Sequence, residues 1–217
     1  LDNHTVNDVT LQAAAVFYIN PIELAKHRHI LRMILQCLSS EDRVRLLHTK
    51  PYGYTLLHLI AACDKTGEIM KTVLELFRED HYYHLLSVQT SRDQDTPLYW
   101  VCRYNNSAAV LEVIMRLVTS EQTRYKLLQI PNSIGDTPLH YAASRNATQA
   151  IRIIADSVSS HHLIHLLTIT DNQGFTPVQL AARLGNQEAV KLLQEYHTTA
   201  NLIVRALQQT DYTGKYK

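Results

Sequence analysis

Twelve histidines and three cysteines are the side chains of this 217-residue sequence best suited to chemistry. His161 and His165 stand four apart, His162 and His165 three apart, and His81 and His84 repeat the spacing of three. On a helix such pairs share a face and can supply two ligands of a zinc site. Zinc takes three or four ligands, and no cysteine or carboxylate cluster lies beside these pairs to complete a set. We read them as surface or packing histidines. His58 and His140 are tied by no motif to a serine or cysteine nucleophile, so general-base catalysis is not indicated. Neither G-x-G-x-x-G nor G-x-x-x-x-G-K-[ST] occurs, so no phosphate-cradling loop is legible. Cys37, Cys63 and Cys102 are odd in number and form no C-x-x-C pair, which fits reduced thiols in a cytoplasmic compartment. Asn3, Asn105 and Asn146 head N-x-[ST] triplets, which a cytoplasmic setting would leave unused. No catalytic, metal or cofactor set emerges, and the chain reads as a non-enzyme.

Composition narrows the partners. Apolar residues make up 46% and charged residues 19%, the balance of a folded protein with a core. The net charge of +1 points to no nucleic acid. The apolar run from Leu11 to Ile19 is too short to span a bilayer.

The elements that must position any site come from an internal repeat. "YTLLHLIA", "DTPLYWVC", "DTPLHYAA" and "FTPVQLAA" align on Thr55, Thr96, Thr137 and Thr176, at spacings of 41, 41 and 39. An eroded copy, "VTLQAAA", runs from Val9 to Ala15. Leucine pairs ending at Leu47, Leu86, Leu128 and Leu167 keep the same period. A fixed period of this length is the mark of a stacked array. Each threonine can cap a helix, and Pro138 suits the first helical position. Leu139, Ala142 and Ala143 then share a face, and a second helix, "TQAIRIIADSV", buries Ile151, Ile154 and Val158. Ser39, Ser120 and Ser159 open a further segment before each leucine pair, predicting an added turn or short third helix. In the first copy the apolar side of "PIELAKHRHILRMILQCL" reads as Ile30, Met33, Ile34 and Leu38. "TTANLIVRALQQ" reads as a closing helix.

"DTPLHYAA" resembles the T-P-L-H-x-A signature of ankyrin repeats, and "LGNQEAVKLLQEY" is similar to an ankyrin second helix. The resemblance covers roughly residues 5–196, with a period longer than the usual ~33 residues. It implies an all-α solenoid of stacked helix pairs with short hairpin turns and an extra helical turn per repeat. The expected layout is a single domain over 1–217. Its repeats lie near 5–47, 48–87, 88–129, 130–168 and 169–197, with a capping helix over 198–210. It also implies that His58 and His140 hydrogen-bond the turn backbone between repeats.

The same resemblance places a partner protein or peptide on a concave side made of turn tips and first-helix edges. Carried onto this chain, the partner-binding set is Tyr52, Tyr54, Arg92, Trp100, Arg103, Tyr104, Ile134, Tyr141, Arg145, Phe175, Arg183 and Leu184. Trp, Tyr and Arg are enriched at binding hot spots. Arg103, Arg145 and Arg183 recur at nearly one per repeat and suggest a basic ladder for an acidic partner. The expected function is a protein-binding scaffold or host-directed effector in the cytoplasm, favoured as a monomer, with no cofactor or membrane insertion. The alternative is a regulatory part of a channel, receptor or larger enzyme that takes an anionic small ligand or lipid headgroup.

Overall fold

Each repeat begins where the backbone turns sharply two residues ahead of its threonine. Gly53, Gly135 and Gly174 hold φ near +84° there, a left-handed conformation that only glycine takes without strain. Gln94 fills the same place before Thr96 and is held at φ +56°. The computed structural model describes residues 28–50, 52–104 and 108–213, and it is all-α, with no strand among them. The eroded copy at Val9–Ala15 lies outside the described residues. Hairpin-like backbone bonds close the tips instead of sheet: Thr90 N–H to Asp95 O (2.8 Å), Asn132 N–H to Asp136 O (2.9 Å) and Asp171 N–H to Phe175 O (3.0 Å). The chain forms two compact units, Leu1–Val118 and Thr119–Lys217.

The first unit contains α1 (Arg28–Cys37), α2 (Ser40–His48), α3 (Leu56–Cys63), α4 (Glu68–Leu74), a 3₁₀ turn (Glu79–His81), α5 (Tyr82–Leu86), α6 (Pro97–Tyr104) and α7 (Ala109–Leu117). First helices pack on first helices, α3 against α6. Second helices pack on second helices, α1 against α4 and α4 against α7. Leu57 and Leu98 are both fully buried at matching positions of α3 and α6. The apolar side expected for α1 is displaced by one residue. Leu31 and Leu35 are buried, whereas Met33 is 62% exposed and Ile34 and Leu38 are half-buried. Two apolar stripes of similar merit run along this helix, and packing against α4 selects between them. Buried Asp64 joins α3 to α4: its carboxylate accepts from the backbone N–H groups of Thr66, Gly67, Ile69 and Met70 at 2.9–3.1 Å. Those donors would otherwise be left unmet at the start of α4.

The second unit contains α8 (Glu121–Leu128), α9 (Pro138–Ser144), α10 (Thr148–Asp156), α11 (Ser160–Thr168), α12 (Pro177–Arg183) and α13 (Gln187–Thr213). α9 packs on α12, and α10 and α11 both pack on α13. Pro138, Leu139, Ala142 and Ala143 are buried together, as their spacing predicts. Val158 departs from the prediction: α10 ends at Asp156, and Val158 follows it half-buried. Asn146 and Asn186 tie successive helix pairs, through Asn146 Oδ1 to Ala189 N–H (2.9 Å) and Asn186 Nδ2 to the carbonyls of Ala143 and Ser144 (3.0 and 2.7 Å).

The added segment is a third helix in each described repeat: α2, α5, α8 and α11. Ser39 and Ser120 cap α2 and α8 through their hydroxyls, and the leucine pairs close the underside, with Leu47, Leu86 and Leu128 fully buried. The last repeat differs. The segment read as a separate closing helix continues the second helix unbroken through the 27-residue α13. Thr198–Thr199 stand at the place of Ser159–Ser160, but Arg205–Ala206 replace Leu166–Leu167. A helix folded back there would have no leucine pair to bury. The Thr198 hydroxyl accordingly donates to Gln194 O within the helix (2.9 Å). Leu202, Ile203 and Leu207 are left 61%, 44% and 61% exposed.

Capping and stacking meet at one side chain. Thr55 N–H donates to His58 Nδ1 (3.2 Å), so Nε2 carries the proton and donates to Asp95 O in the next tip (2.9 Å). Thr137 and His140 repeat the arrangement, with His140 Nε2 donating to Phe175 O (3.1 Å). Burial pulls the His58 pKa from 6.5 down to about 4. The Asp95 carbonyl opposes this by favouring the charged ring, and Lys50 adds repulsion. Burial likewise lowers the His140 pKa.

Three outcomes follow. The unfolded His58 ring protonates near pH 6.5 and the folded ring only near 4, so its contribution is full above 6.5. As pH falls from 6.5 to 4 the loss is on the order of 3 kcal/mol. Urea midpoints across that window should fall steeply in the wild type and less in His58→Gln, since Gln179 fills the same capping box behind Thr176. Leu139→Ala should lower unfolding free energy by about 2–5 kcal/mol through a core cavity, read from the same denaturation curves. Gln94→Gly should raise it by about 1 kcal/mol by relieving the left-handed strain.

Candidate functional site

The tip before α6 is organised by a residue that surface reasoning passes over. Asp95 is 1% exposed, and its Oδ2 accepts from Trp100 Nε1 (3.2 Å) and from Arg103 (3.1 Å). Its backbone O accepts from His58 and its N–H donates to the Thr90 hydroxyl (3.0 Å). The aspartate that precedes the threonine in "DTPL" at Asp95 and Asp136 was the available signal, since both are buried.

Around this carboxylate the first unit gathers an aromatic row. Tyr52 and Tyr54 come from the tip before α3, and Trp100 and Tyr104 stand one turn apart on α6. Ring centroids follow at 6.1 Å (Tyr52–Tyr54), 5.3 Å (Tyr54–Trp100) and 5.1 Å (Trp100–Tyr104). Trp100 also meets the His58 ring edge-on at 5.2 Å. Tyr52 and Tyr104 at the two ends are 50% and 49% exposed, while Tyr54 and Trp100 are half-buried. Such ring pairs add about 0.5–1.5 kcal/mol each beyond the area they bury, so the row is held in place.

Arg103 is not an open rung of a basic ladder. Its guanidinium is bound to Asp95 and lies 5.1 Å from the Tyr104 ring centre. Arg92, at the tip, is exposed beside Asp93 at 4.0 Å and does not join the aromatic row.

The second unit carries the remaining candidates. Arg183 lies over the Phe175 ring (4.9 Å) and donates to Gln173 Oε1 (3.0 Å). Ile134 is 56% exposed at its tip, where its carbonyl accepts from Asn172 N–H (3.1 Å). Arg145 and Leu184 cap the C-terminal ends of α9 and α12, both exposed, and Tyr141 is half-buried on α9.

The histidine pairs have packing partners. His162 Nδ1 meets Glu121 Oε1 (2.7 Å) and its ring stacks on Tyr125 (4.0 Å), whose hydroxyl bonds His165 Nδ1 (3.0 Å). The Ser159 backbone N–H, then its hydroxyl and His162, hold the Glu121 carboxyl down at about 2. Among the described residues no three His, Cys, Asp or Glu converge as a metal-holding group. Cys102 occupies the place of Ala143, and burial pushes its thiol up to about 12. Burial, with Asp64 nearby, raises Cys63 to about 11. Neither is a poised nucleophile. No helix among the described residues is long and apolar enough to cross a membrane.

Comparison with known proteins places this arrangement. A family model of ankyrin repeats in three copies matches residues 116–205. An ankyrin repeat protein of Rickettsia bellii (strain RML369-C) is 34% identical over 86 residues, covering 39% of this chain and 48% of its own length. Inversin of Homo sapiens and of Canis lupus familiaris are each 28% identical over 110 residues, 49% of this chain and 9% of theirs. The chain thus spans about half of the first relative and a small part of the others. Residues 116–205 thus match ankyrin repeats, and the same helix pairs behind a threonine recur before them at Thr55 and Thr96.

Proposed function

We propose that the chain is a non-catalytic module that binds a partner protein through its tips and first-helix edges, acting as an adaptor in the cytoplasm. Ankyrin repeats generally serve as protein-binding modules, and the observation that carries the reading here is the aromatic row Tyr52–Tyr54–Trp100–Tyr104. Trp100 is held by Asp95 and His58, Tyr54 packs on Trp100, and the outer rings are half-exposed. A partner therefore meets a surface that is already ordered, which lowers the entropic cost of association. Residues Ile134, Tyr141, Arg145, Phe175, Arg183 and Leu184 supply a second, more aliphatic and cationic edge in the other unit. An anionic small ligand is the weaker reading, because Arg103 is committed to Asp95. An acidic partner finds charge at Arg145 and Arg183.

Trp100 is unsuited to a clean test, since alanine there would strip Asp95 and His58 of a neighbour. Tyr52→Ala with Tyr104→Ala removes only the exposed ends. Partners labelled by proximity to the chain in cells, then purified and titrated, should bind this double variant about 2 kcal/mol more weakly, roughly thirtyfold. Helical circular dichroism should match the wild type, and unfolding free energy should fall by no more than the two lost ring pairs, about 1–3 kcal/mol. Equal affinity of the variant for every such partner would remove the row as the docking surface.

A further inference from the structure

We propose that the aromatic row of the first unit docks a proline-rich segment of the partner in the polyproline II conformation; this rests on reading that row as a docking surface. The argument begins with charge. The carboxylate beneath the row is buried and bound by both Trp100 Nε1 and Arg103, and the Arg103 guanidinium also lies against Tyr104. Anionic and cationic side chains alike would meet charges that are already answered. What the row offers is ring faces and ring edges. That surface suits a neutral ligand rich in C–H groups.

Proline matches each part. Its ring lays C–H groups on aromatic faces, and it brings no backbone N–H to satisfy. Its fixed φ means that little conformational freedom is lost on docking. Spacing agrees. Two steps along the row, 6.1 and 5.3 Å or 5.3 and 5.1 Å, reach at most about 11 Å. One polyproline II turn advances about 9 Å in three residues, which lies within that limit for prolines on alternate rings. Aromatic-lined surfaces of this kind are a recurrent means of holding such segments.

Trp100 is the single tryptophan of the chain and reports directly on the row. Intact protein is titrated with a proline decamer while its tryptophan emission is followed, with glycine–serine and glutamate decamers run in parallel. A saturable change with the proline decamer alone is expected. Affinity should fall tenfold or more in the Tyr52→Ala/Tyr104→Ala variant. It should be largely retained in Tyr52→Phe/Tyr104→Phe, which keeps the ring faces. No saturable change up to millimolar peptide, or an equal response to the glutamate decamer, overturns the proposal. If cellular partners depend on Tyr52 and Tyr104 but the proline decamer gives no change, the docking reading stands and its assignment to proline falls.

Discussion

A short helix pair cannot cover its own apolar side, and here one polar rung holds neighbouring pairs to the task. The His58 and His140 imidazoles each accept from the threonine that starts their own helix and donate to a carbonyl of the following tip. This works only for the neutral ring with its proton on Nε2. One side chain thereby links a local event, the start of a helix, to a long-range one, the placing of the next tip. In the first unit the link carries further. The tip held by His58 is that of Asp95, whose carboxylate sets Trp100 and Arg103, and Trp100 in turn sets Tyr54 and Tyr104. The candidate surface is thus a consequence of the stacking rung, two hydrogen bonds removed.

Much of this scaffold could be read in the sequence because its causes are local. A threonine before a helix, a proline at its first position and a leucine pair at its underside each act within a few residues, and all recurred at one period. The serine-led segment was legible as a third helix for the same reason. The phase of α1 was not, because Ile30–Met33–Ile34–Leu38 and Leu31–Leu35 are both apolar stripes and only packing against α4 distinguishes them. Nor was the unbroken α13: Thr198–Thr199 imitate a cap, and the loss of the leucine pair at Arg205–Ala206 outweighs them. Val178, the counterpart of Leu139, is half-buried for a related reason. It lies in the last matched repeat, which has no described repeat after it to cover that side.

The surface was legible as a set of residues but not as a set of relations. Tyr52, Tyr54, Trp100 and Tyr104 all stand out by type and position, and the structure brings them together. Arg103 stands out equally, yet its charge is spent on Asp95. Sequence shows that an arginine recurs; it cannot show that a carboxylate eight residues earlier is buried and must be answered. A buried charge without a partner is costly by several kcal/mol, so Asp95 takes first claim on Arg103 and on the Trp100 N–H.

That claim distinguishes the edges of the two units. In the first, the charges are satisfied from within and the rings face outward, giving a neutral aromatic strip with tyrosine hydroxyls at its ends. In the second, Arg183 answers only a ring face and the neutral amide of Gln173, and it keeps its charge for solvent or a ligand. Ile134 and Leu184, both more than half exposed, add aliphatic contact there. The repeat fixes the backbone at both edges in much the same way, through a left-handed turn (glycine, or Gln94 before α6), a threonine cap and, except at Tyr99, imidazole or glutamine at the third helical position. Chemical difference between them therefore arises from the side chains just outside that frame. A substitution there alters what each edge can hold without disturbing the stack, which is how one scaffold accommodates unrelated partners.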